Sequence, residues 1–505
     1  MNKIQKTAIL IAIILTCFQS LGQELSKLTQ ISLPDLLAEK VGAESFGYAG
    51  MLGGPNNGVF IVGGGANFPN GLPWEGGKKV WSKSIHIYEN DQWRLSSKQL
   101  RESIGYSASV STDEGVLSIG GNNEIGISDK VLLLTYDRKT KDVEISEYPK
   151  LPEALAFASA VIFEDFVYVV GGRNAEGSTN SFYRLSLKDK QKWEKLTNFP
   201  GLPRALHTTA LQETQTNKKL FVVGGRNEIN GKKSEAVTSY LSYDFKNETW
   251  EDEGELLIDD EPRVLMGASA EVMGSMHIMI YGGSDALLFD QLENIGLEMG
   301  RTQNDSIKNS LITKRDKILN THPGFSKDIL AYNTITKQWF VYDNLPSQIP
   351  VTALAFKDQD HYVIVSGEVS PGIRTPSVQS FKIADAAHPF GVLNYSILAL
   401  YLLISVLIGI YFARKQKSTE DYFVGGGRIP WWAAGLSVFG TLLSAITFMA
   451  IPAKAFVTDW SFFFLNITAI IITPLIAFVF IPFFNKLKIK TAYEYLEDRF
   501  NYTAR

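Results

Sequence analysis

Glu368 and Arg374, separated by a Pro371-Gly372 turn, are the residues of this chain whose types and spacing best suit chemistry. Pro-Gly favours a reversal of the chain, so both side chains can project from one edge of the same structure. A carboxylate can act as a general base, and the planar guanidinium of arginine binds an anionic carboxylate through two parallel hydrogen bonds. The alternative is a degenerate glycine turn followed by a hairpin, with Arg374 in solvent.

Glu368 follows the last copy of a short sequence that recurs through the chain. In each copy an apolar strand runs into a glycine pair, although serine replaces the first glycine in the last copy. The second glycines are Gly64, Gly121, Gly172, Gly225, Gly283 and Gly367. A repeat of about 50 residues that ends a strand in Gly-Gly is typical of kelch blades. We therefore predict an all-β, six-bladed kelch β-propeller over residues 24–383.

Two features depart from the simple repeat. No further strand follows the last predicted one, 378–383, whereas residues 28–34 have the register of the missing strand. We expect this N-terminal segment to complete the last blade and close the ring, which removes free strand edges. A polar insertion at 290–327 is rich in helix formers. We expect it to be partly helical and to mark a functional face, although a plain solvated excursion is the alternative.

The first 22 residues resemble a secretory signal peptide. Lys3 and Lys6 precede an apolar core, and Ser20-Leu21-Gly22 offers a cleavage site of small residues. The alternative is an uncleaved anchor helix, but the apolar stretch is short for a membrane span. The signal interpretation predicts that the segment after it is exported.

Residues 391–505 form a second domain of different composition, after a linker at 384–390. Apolar runs at 391–413, 429–451 and 461–484 are long enough to cross a bilayer, and basic residues follow the first and the third. The positive-inside rule then places 414–428 and 485–505 in the cytoplasm. We expect a multi-pass α-helical protein of the plasma (inner) membrane, with the propeller on the extracytoplasmic, periplasmic side.

Composition limits the other classes of function. The net charge is -4 over 505 residues, so electrostatics give no case for a nucleic-acid partner. Cys17 is the single cysteine, and the six histidines are scattered along the chain. We therefore expect no disulfide, no metal site and no cofactor in the propeller.

Three motifs in the membrane domain, residues 418–432, 444–448 and 491–500, resemble the sodium/solute symporter family. The resemblance implies the first three spans of a LeuT-like transporter and Na+ as the coupling ion. It further implies that the backbone carbonyls of Gly440 and Leu443 form part of a Na+ site and that Thr447 faces the substrate. Ordinary packing of small residues between helices is the alternative. Because the partner helices are missing, we expect a fragment or a truncated product that does not transport by itself.

The propeller motifs resemble cyclically permuted kelch-type N-acetylneuraminate epimerases, or sialic acid mutarotases. The residues that carry this resemblance are 63–68, 74–79, 199–204, 322–326 and 366–375. It implies that Glu368 is the general base, that Arg374 clamps the sugar carboxylate or stabilises charge, and that Arg204 is a second, substrate-binding anion contact. Arg263 follows a proline as Arg204 does, which reads as the same repeat position, so Arg204 can equally be a structural residue of the propeller.

The sequence thus predicts an extracytoplasmic mutarotase for N-acetylneuraminate (sialic acid) or a related acidic sugar. It would lie beside a Na+/solute symporter module in the lipid bilayer that takes up the same sugar. One alternative is a non-catalytic, glycan-binding propeller that delivers an acidic sugar to the transporter. Another is a purely structural extracytoplasmic cap.

Overall fold

The computed structural model describes residues 28–40, 42–214, 217–383, 391–416, 421, 425–442, 444–457, 461–487 and 492–504. The chain divides into two compact units, residues 1–386 and 387–505. The predicted signal peptide, residues 1–22, and the predicted linker, residues 384–390, lie outside the described residues.

The first unit is a six-bladed β-propeller, as the glycine repeat predicts. Each blade is a sheet of four antiparallel strands that follow one another from the centre outwards. The strands of blades 1 to 3 are Leu52–Asn56, Val59–Gly63, Ile85–Glu89, Gln92–Leu95; Ala108–Ser111, Val116–Ile119, Val131–Asp137, Asp142–Tyr148; and Ser159–Phe163, Phe166–Val170, Phe182–Ser186, Glu194–Lys195. Those of blades 4 to 6 are Thr208–Glu213, Lys218–Val223, Ser239–Asp244, Thr249–Glu255; Ser269–Met273, His277–Tyr281, Asp328–Asn333, Gln338–Asn344; and Leu354–Asp358, His361–Val365, Val378–Ile383, Leu28–Leu33.

The hydrophobic core lies between neighbouring blades. Successive side chains of a strand point to opposite faces of its sheet, so a blade can bury both faces against its neighbours. One cluster joins Leu117 and Ile119 of blade 2 to Val167 and Val169 of blade 3, and all four are fully buried. The strands before the glycine pairs are therefore continuous apolar runs, which makes them the clearest signal in the sequence.

The N-terminal strand Leu28–Leu33 closes the ring, as predicted. It pairs antiparallel with Val378–Ile383 over its whole length. Just beyond it, the indole N–H of Trp93 in blade 1 donates to the carbonyl of Pro34 at 2.8 Å. Blade 6 thus obtains its fourth strand from the other end of the propeller sequence, and this strand covers an edge that would otherwise be free.

A closed ring of six backbone hydrogen bonds surrounds one end of the central channel. Its members lie two residues before the first strand of each blade, at Gly50, Tyr106, Phe157, Leu206, Gly267 and Thr352. Each N–H donates to the carbonyl of the equivalent residue in the neighbouring blade, at 2.7 to 3.3 Å. All six have φ between 48° and 67°, a conformation that costs a non-glycine residue about 1–2 kcal/mol. The hydrogen bonds of the ring offset that strain.

Blade 5 carries the predicted helical insertion. Two helices, α1 (Leu287–Arg301) and α2 (Asp305–Asn320), lie between its second and third strands. Arg226 of blade 4 fixes α1 in place, since its fully buried guanidinium lies 2.6 Å from an oxygen of Asp290 and 3.0 Å from one of Glu293. If α1 moved away, the buried charge of Arg226 would lose its carboxylate partners, which is costly. These ion pairs therefore hold α1 against the propeller.

The second unit is helical. Gly391–Lys415 and Ile470–Leu487 are long and apolar enough to cross a membrane, with mean hydropathies of 2.4 and 2.0. The predicted span 429–451 is interrupted, since Trp431–Leu442 and Ala445–Val457 are separate helices on either side of residue 444. The helix Ile470–Leu487 belongs to a continuous helical stretch, made of Ser461–Leu475, a π-helical turn at Ile476–Phe480 and Ile481–Leu487. The short helix Ala492–Arg499 follows.

Candidate active site

The repeat places one residue of each blade at the rim of the channel, directly after the glycine pair, which in blade 1 is Gly64-Gly65. The six residues are Ala66, Asn122, Arg173, Arg226, Ser284 and Glu368, and each forms an antiparallel bridge with the residue that precedes a member of the hydrogen-bonded ring. For Glu368 the partner is Val351, and the two backbones exchange N–H···O bonds of 2.9 Å. Gly367 has φ +108°, and a Cβ there would lie 2.8 Å from Pro350. Glycine is therefore required even in this altered copy of the repeat.

Glu368 and Arg374 face each other across a short hairpin. The strand Glu368–Ser370 pairs with Ile373–Arg374, and Glu368 lies opposite Arg374 in that register. Arg374 Nη2 and Glu368 Oε2 are 3.4 Å apart, and the Gly372 N–H donates to Glu368 Oε1 at 2.6 Å. The Pro-Gly turn thus brings the two predicted catalytic residues together.

The guanidinium of Arg374 is buried but only partly paired. Its side chain is 3% exposed, and its central carbon lies 4.6 Å from the centre of the Phe68 ring. Within the part of the chain that the structure describes, Nε and Nη1 have no hydrogen-bond partner. A buried donor left in this state costs about 1–3 kcal/mol. A solvated Arg374 is therefore excluded, and the two buried nitrogens remain as unpaired donors.

Lys79 places a second positive charge near Arg374. Its ammonium nitrogen lies 3.4 Å from the Tyr106 hydroxyl and 5.0 to 5.9 Å from the centres of three aromatic rings, those of Phe68, Trp81 and Tyr106. Although much of the residue is exposed, its charged end is enclosed by these rings. That desolvation, together with the charge of Arg374, lowers the pKa of Lys79 below its usual value.

Glu368 lines a cavity of about 760 Å³ between the rim and the helical insertion. Helix α1 contributes an apolar wall, formed by Leu288, Phe289 and Leu292. The segment between α2 and the third strand of blade 5 contributes His322 and Phe325. A cavity of this volume, largely apolar with a few polar groups converging on it, has the form of a small-molecule site.

Sequence reasoning did not assign roles to three polar residues of this cavity, which are Arg263, His322 and Asp328. Arg263 Nη2 donates to Asp328 Oδ2 at 2.8 Å and to Ser326 Oγ at 3.3 Å. The prediction that Arg263 and Arg204 occupy the same repeat position was wrong. Blade 5 has two additional residues before its rim, so Leu265 is the equivalent of Arg204, and their carbonyls accept from corresponding glycine N–H groups.

Arg204, predicted to contact an anionic substrate, has its side chain in the core of the propeller. Its side chain is fully buried, and it donates from Nη1 to the Ser239 carbonyl at 2.9 Å and from Nη2 to Ser239 Oγ at 3.1 Å. Burial lowers the pKa of Arg204 to about 10. The equivalent residues of three other blades are the buried apolar side chains Ile104, Leu155 and Leu265. Arg204 therefore occupies a core position, and it does not line the cavity.

The membrane residues predicted to bind Na+ and substrate flank the interruption between two helices. Gly440 belongs to Trp431–Leu442, and Thr447, which is half-buried, belongs to Ala445–Val457. Leu443 lies outside the described residues. Interrupted helices are where transporters use free carbonyls to bind cations. The roles of the three residues remain predictions.

Comparison with known proteins identifies the families of both units. Residues 148–427, more than half of the chain, match the family described as N-acetylneuraminate epimerase, and residues 422–504 match the sodium:solute symporter family. The N-acetylneuraminate epimerase of Yersinia enterocolitica is 24% identical over 260 residues, which is 51% of this chain and 62% of that protein. The sodium/sialic acid symporter SiaT of Proteus mirabilis is 56% identical over 118 residues, which is 23% of this chain and 24% of that protein.

The symporter match extends to more distant relatives. The sodium/iodide cotransporter of Homo sapiens is 35% identical over 119 residues, which is 23% of this chain and 18% of that protein. The chain thus spans about a quarter or less of the length of these symporters and about three fifths of the length of the epimerase. It belongs to the N-acetylneuraminate epimerase family and carries a sodium:solute symporter segment at its C-terminal end.

Proposed function

We propose that the propeller is a mutarotase that interconverts the anomers of N-acetylneuraminate or a related acidic sugar, beside a Na+-coupled symporter segment. The observation that carries this proposal is the pairing of Glu368, which lines a cavity of about 760 Å³, with the neighbouring, buried Arg374. A carboxylate next to a guanidinium with free N–H groups suits a substrate that has both an anomeric hydroxyl and a carboxylate.

Mutarotation moves a proton between two oxygens on the anomeric carbon. In the opening step the Glu368 carboxylate takes the proton of the anomeric hydroxyl, whose O–H electrons form the carbonyl bond. The bond from the anomeric carbon to the ring oxygen breaks, and its electron pair stays on that oxygen. Glu368 can return the proton there, because both oxygens belong to one carbon. Rotation of the carbonyl and reversal of these steps close the ring on the other face, with no proton consumed.

Arg374 would hold the sugar carboxylate during ring opening and closure. Its Nε–H and Nη1–H, which have no partner among the described residues, are the donors left for that carboxylate. The nearby ammonium of Lys79 adds to the positive potential at the same place. This contact would fix the carboxylate end of the substrate, so that the carbonyl face changes by rotation of the rest of the sugar chain about the bond to the carbonyl carbon.

The symporter segment supports a place at the membrane with the propeller outside. Arg414 and Lys415, at the end of the apolar helix Gly391–Lys415, favour the cytoplasmic side for that end. A relative of this segment is named a sodium/sialic acid symporter. We propose that Gly440 and Leu443 carbonyls contribute to a Na+ site and that Thr447 faces the sugar. Tethering would raise the concentration of the newly formed anomer near a carrier.

The test is proton NMR of exchange between the α and β anomers of N-acetylneuraminate, with the full chain purified in detergent. We expect acceleration by the wild-type protein and a loss of about 10²-fold or more in Glu368→Gln, because an amide cannot take the proton. Glu235→Gln, at an exposed residue of blade 4 that does not line the cavity, is a matched control and should keep the full rate. Line broadening of the sugar without acceleration would instead support the glycan-binding alternative.

A further inference from the structure

His322 lines the same cavity as Glu368 but comes from a different element, the segment between α2 and the third strand of blade 5. This segment is tied to the strand that carries Glu368. The Phe325 N–H donates to the Val369 carbonyl at 2.9 Å, and Ser370 Oγ lies 3.5 Å from His322 Nδ1. Two segments far apart in sequence are therefore joined beside the proposed base.

The imidazole of His322 is held in one tautomer. The Gly324 N–H donates to Nδ1 at 3.0 Å, so Nδ1 is an acceptor and the proton of the neutral ring lies on Nε2. Burial lowers the pKa of His322, with the opposing charge of Asp285 as the smaller effect, so the ring is neutral near pH 7. No residue in the described part of the chain hydrogen bonds to Nε2. The ring therefore offers one N–H to a ligand.

The turn that carries His322 holds the ring in place. Gly324 has φ +89°, and a Cβ on it would lie 2.6 Å from the Gln348 side chain. Gln348 in turn donates to the Pro323 carbonyl at 3.0 Å, and the Phe325 ring packs edge-on against the imidazole at 5.5 Å between centres. A donor fixed in advance of the reaction can stabilise developing charge without reorganisation.

We infer that His322 is a catalytic residue of the propeller, whose Nε2–H donates a hydrogen bond to the ring oxygen as the anomeric carbon–oxygen bond breaks. The inference rests on the proposed function and deepens it. Negative charge moves to the ring oxygen with the electron pair of the broken bond, and the hydrogen bond stabilises that charge until Glu368 delivers the proton. His322 gives up no proton, so it is unchanged after the step and acts in the same way on ring closure.

A purely structural His322 would need only Nδ1, which completes the turn at Gly324. The catalytic role depends on the N–H of Nε2. The charged side chains of the cavity do not supply such a donor. Arg263 pairs with Asp328, and Glu293 pairs with Arg226. Lys327 donates to the Pro346 carbonyl, and Asp285 is acidic and offers no N–H. Among the ionisable side chains of the cavity, His322 is therefore the neutral donor left for the ring oxygen, and the hydroxyl of Thr352, unpaired among the described residues, is a second neutral donor at the cavity wall.

The test compares His322→Phe with His322→Gln in the full chain, using the same NMR exchange measurement. His322→Phe keeps a ring against Phe325 but removes the donor, so we expect the maximal rate to fall about 10²-fold, with little change in the half-saturating sugar concentration. His322→Gln retains a side-chain N–H and should recover most of that loss. His361→Phe, in the second strand of blade 6 and away from the cavity, is the matched control and should keep the full rate.

A His322→Phe protein that melts like the wild type and exchanges the sugar at close to the wild-type rate would overturn the inference. A loss confined to the half-saturating concentration would also overturn it. NMR of the wild-type chain with 15N-labelled histidine gives a reading without any substitution, since an Nδ1–H tautomer or an imidazolium at neutral pH would contradict it. Wild-type protein without any acceleration would refute the proposed function itself, whereas full activity in His322→Phe would refute the inference alone.

Discussion

At the scale of residues, the guanidinium groups of Arg204 and Arg374 differ in their hydrogen-bond partners. The guanidinium of Arg204 donates to the carbonyl and the hydroxyl of Ser239. Nε and Nη1 of Arg374 have no such partner among the described residues. Both side chains are buried, so their N–H groups need hydrogen-bond acceptors. The protein supplies acceptors for Arg204, whereas Nε and Nη1 of Arg374 would need an acceptor from a ligand.

We therefore expect the same substitution to have different effects at the two positions. Arg374→Met removes the contacts to the sugar carboxylate, which at roughly 2 kcal/mol corresponds to about a 30-fold rise in the half-saturating sugar concentration, with little change in melting temperature. Arg204→Met leaves the Ser239 carbonyl without its donor and should lower the unfolding free energy by about 2 kcal/mol, with sugar binding retained. Sugar titrations and thermal melts of both variants check this, and the reverse pattern would contradict it.

At the scale of elements, closure of the propeller depends on Leu28–Leu33. Removal of residues 24–34 would leave Val378–Ile383 as a free edge. We expect the melting temperature to fall by roughly 10 °C, because a loss of several kcal/mol shifts it by about 2–4 °C per kcal/mol in domains of 150–250 residues. Removal of residues 24–27 alone keeps the paired strand and is the control. An unchanged melting temperature after the longer deletion would show that closure does not need this strand.

The elements also explain what the sequence could and could not predict. The blades were predictable because their signal is local: an apolar strand and a glycine pair recur at a nearly constant interval. Glu368 was predictable because it follows such a pair. His322 was not assigned, since its place in the cavity depends on an insertion that folds back onto the rim and is held by Arg226. Arg263 was assigned to the wrong repeat position because the Pro-Arg motif before blade 4 recurs before blade 5. There, two additional residues separate the motif from the rim.

At the scale of the whole molecule, the chain joins two units suited to different surroundings. The propeller buries its apolar side chains between blades. The second unit exposes them, as at Val392 and Phe478, which are 84% and 82% exposed. Apolar helices of this length and exposure are stable in a lipid bilayer and not in water. The second unit therefore makes this a membrane protein, and the side of the membrane on which the propeller lies decides whether it can supply an uptake system.

We predict that the propeller and the far end of Gly391–Lys415 are on opposite sides of the membrane. Arg414 and Lys415 would hold that end in the cytoplasm. In a Cys17→Ser background, Asp189→Cys, exposed on blade 3, should react with a membrane-impermeant maleimide in right-side-out vesicles. Gln416→Cys, exposed just beyond the helix, should react only after the membrane is permeabilised. The opposite labelling would put the propeller in the cytoplasm, where it would meet the sugar only after transport and could not enrich the anomer that a carrier takes up.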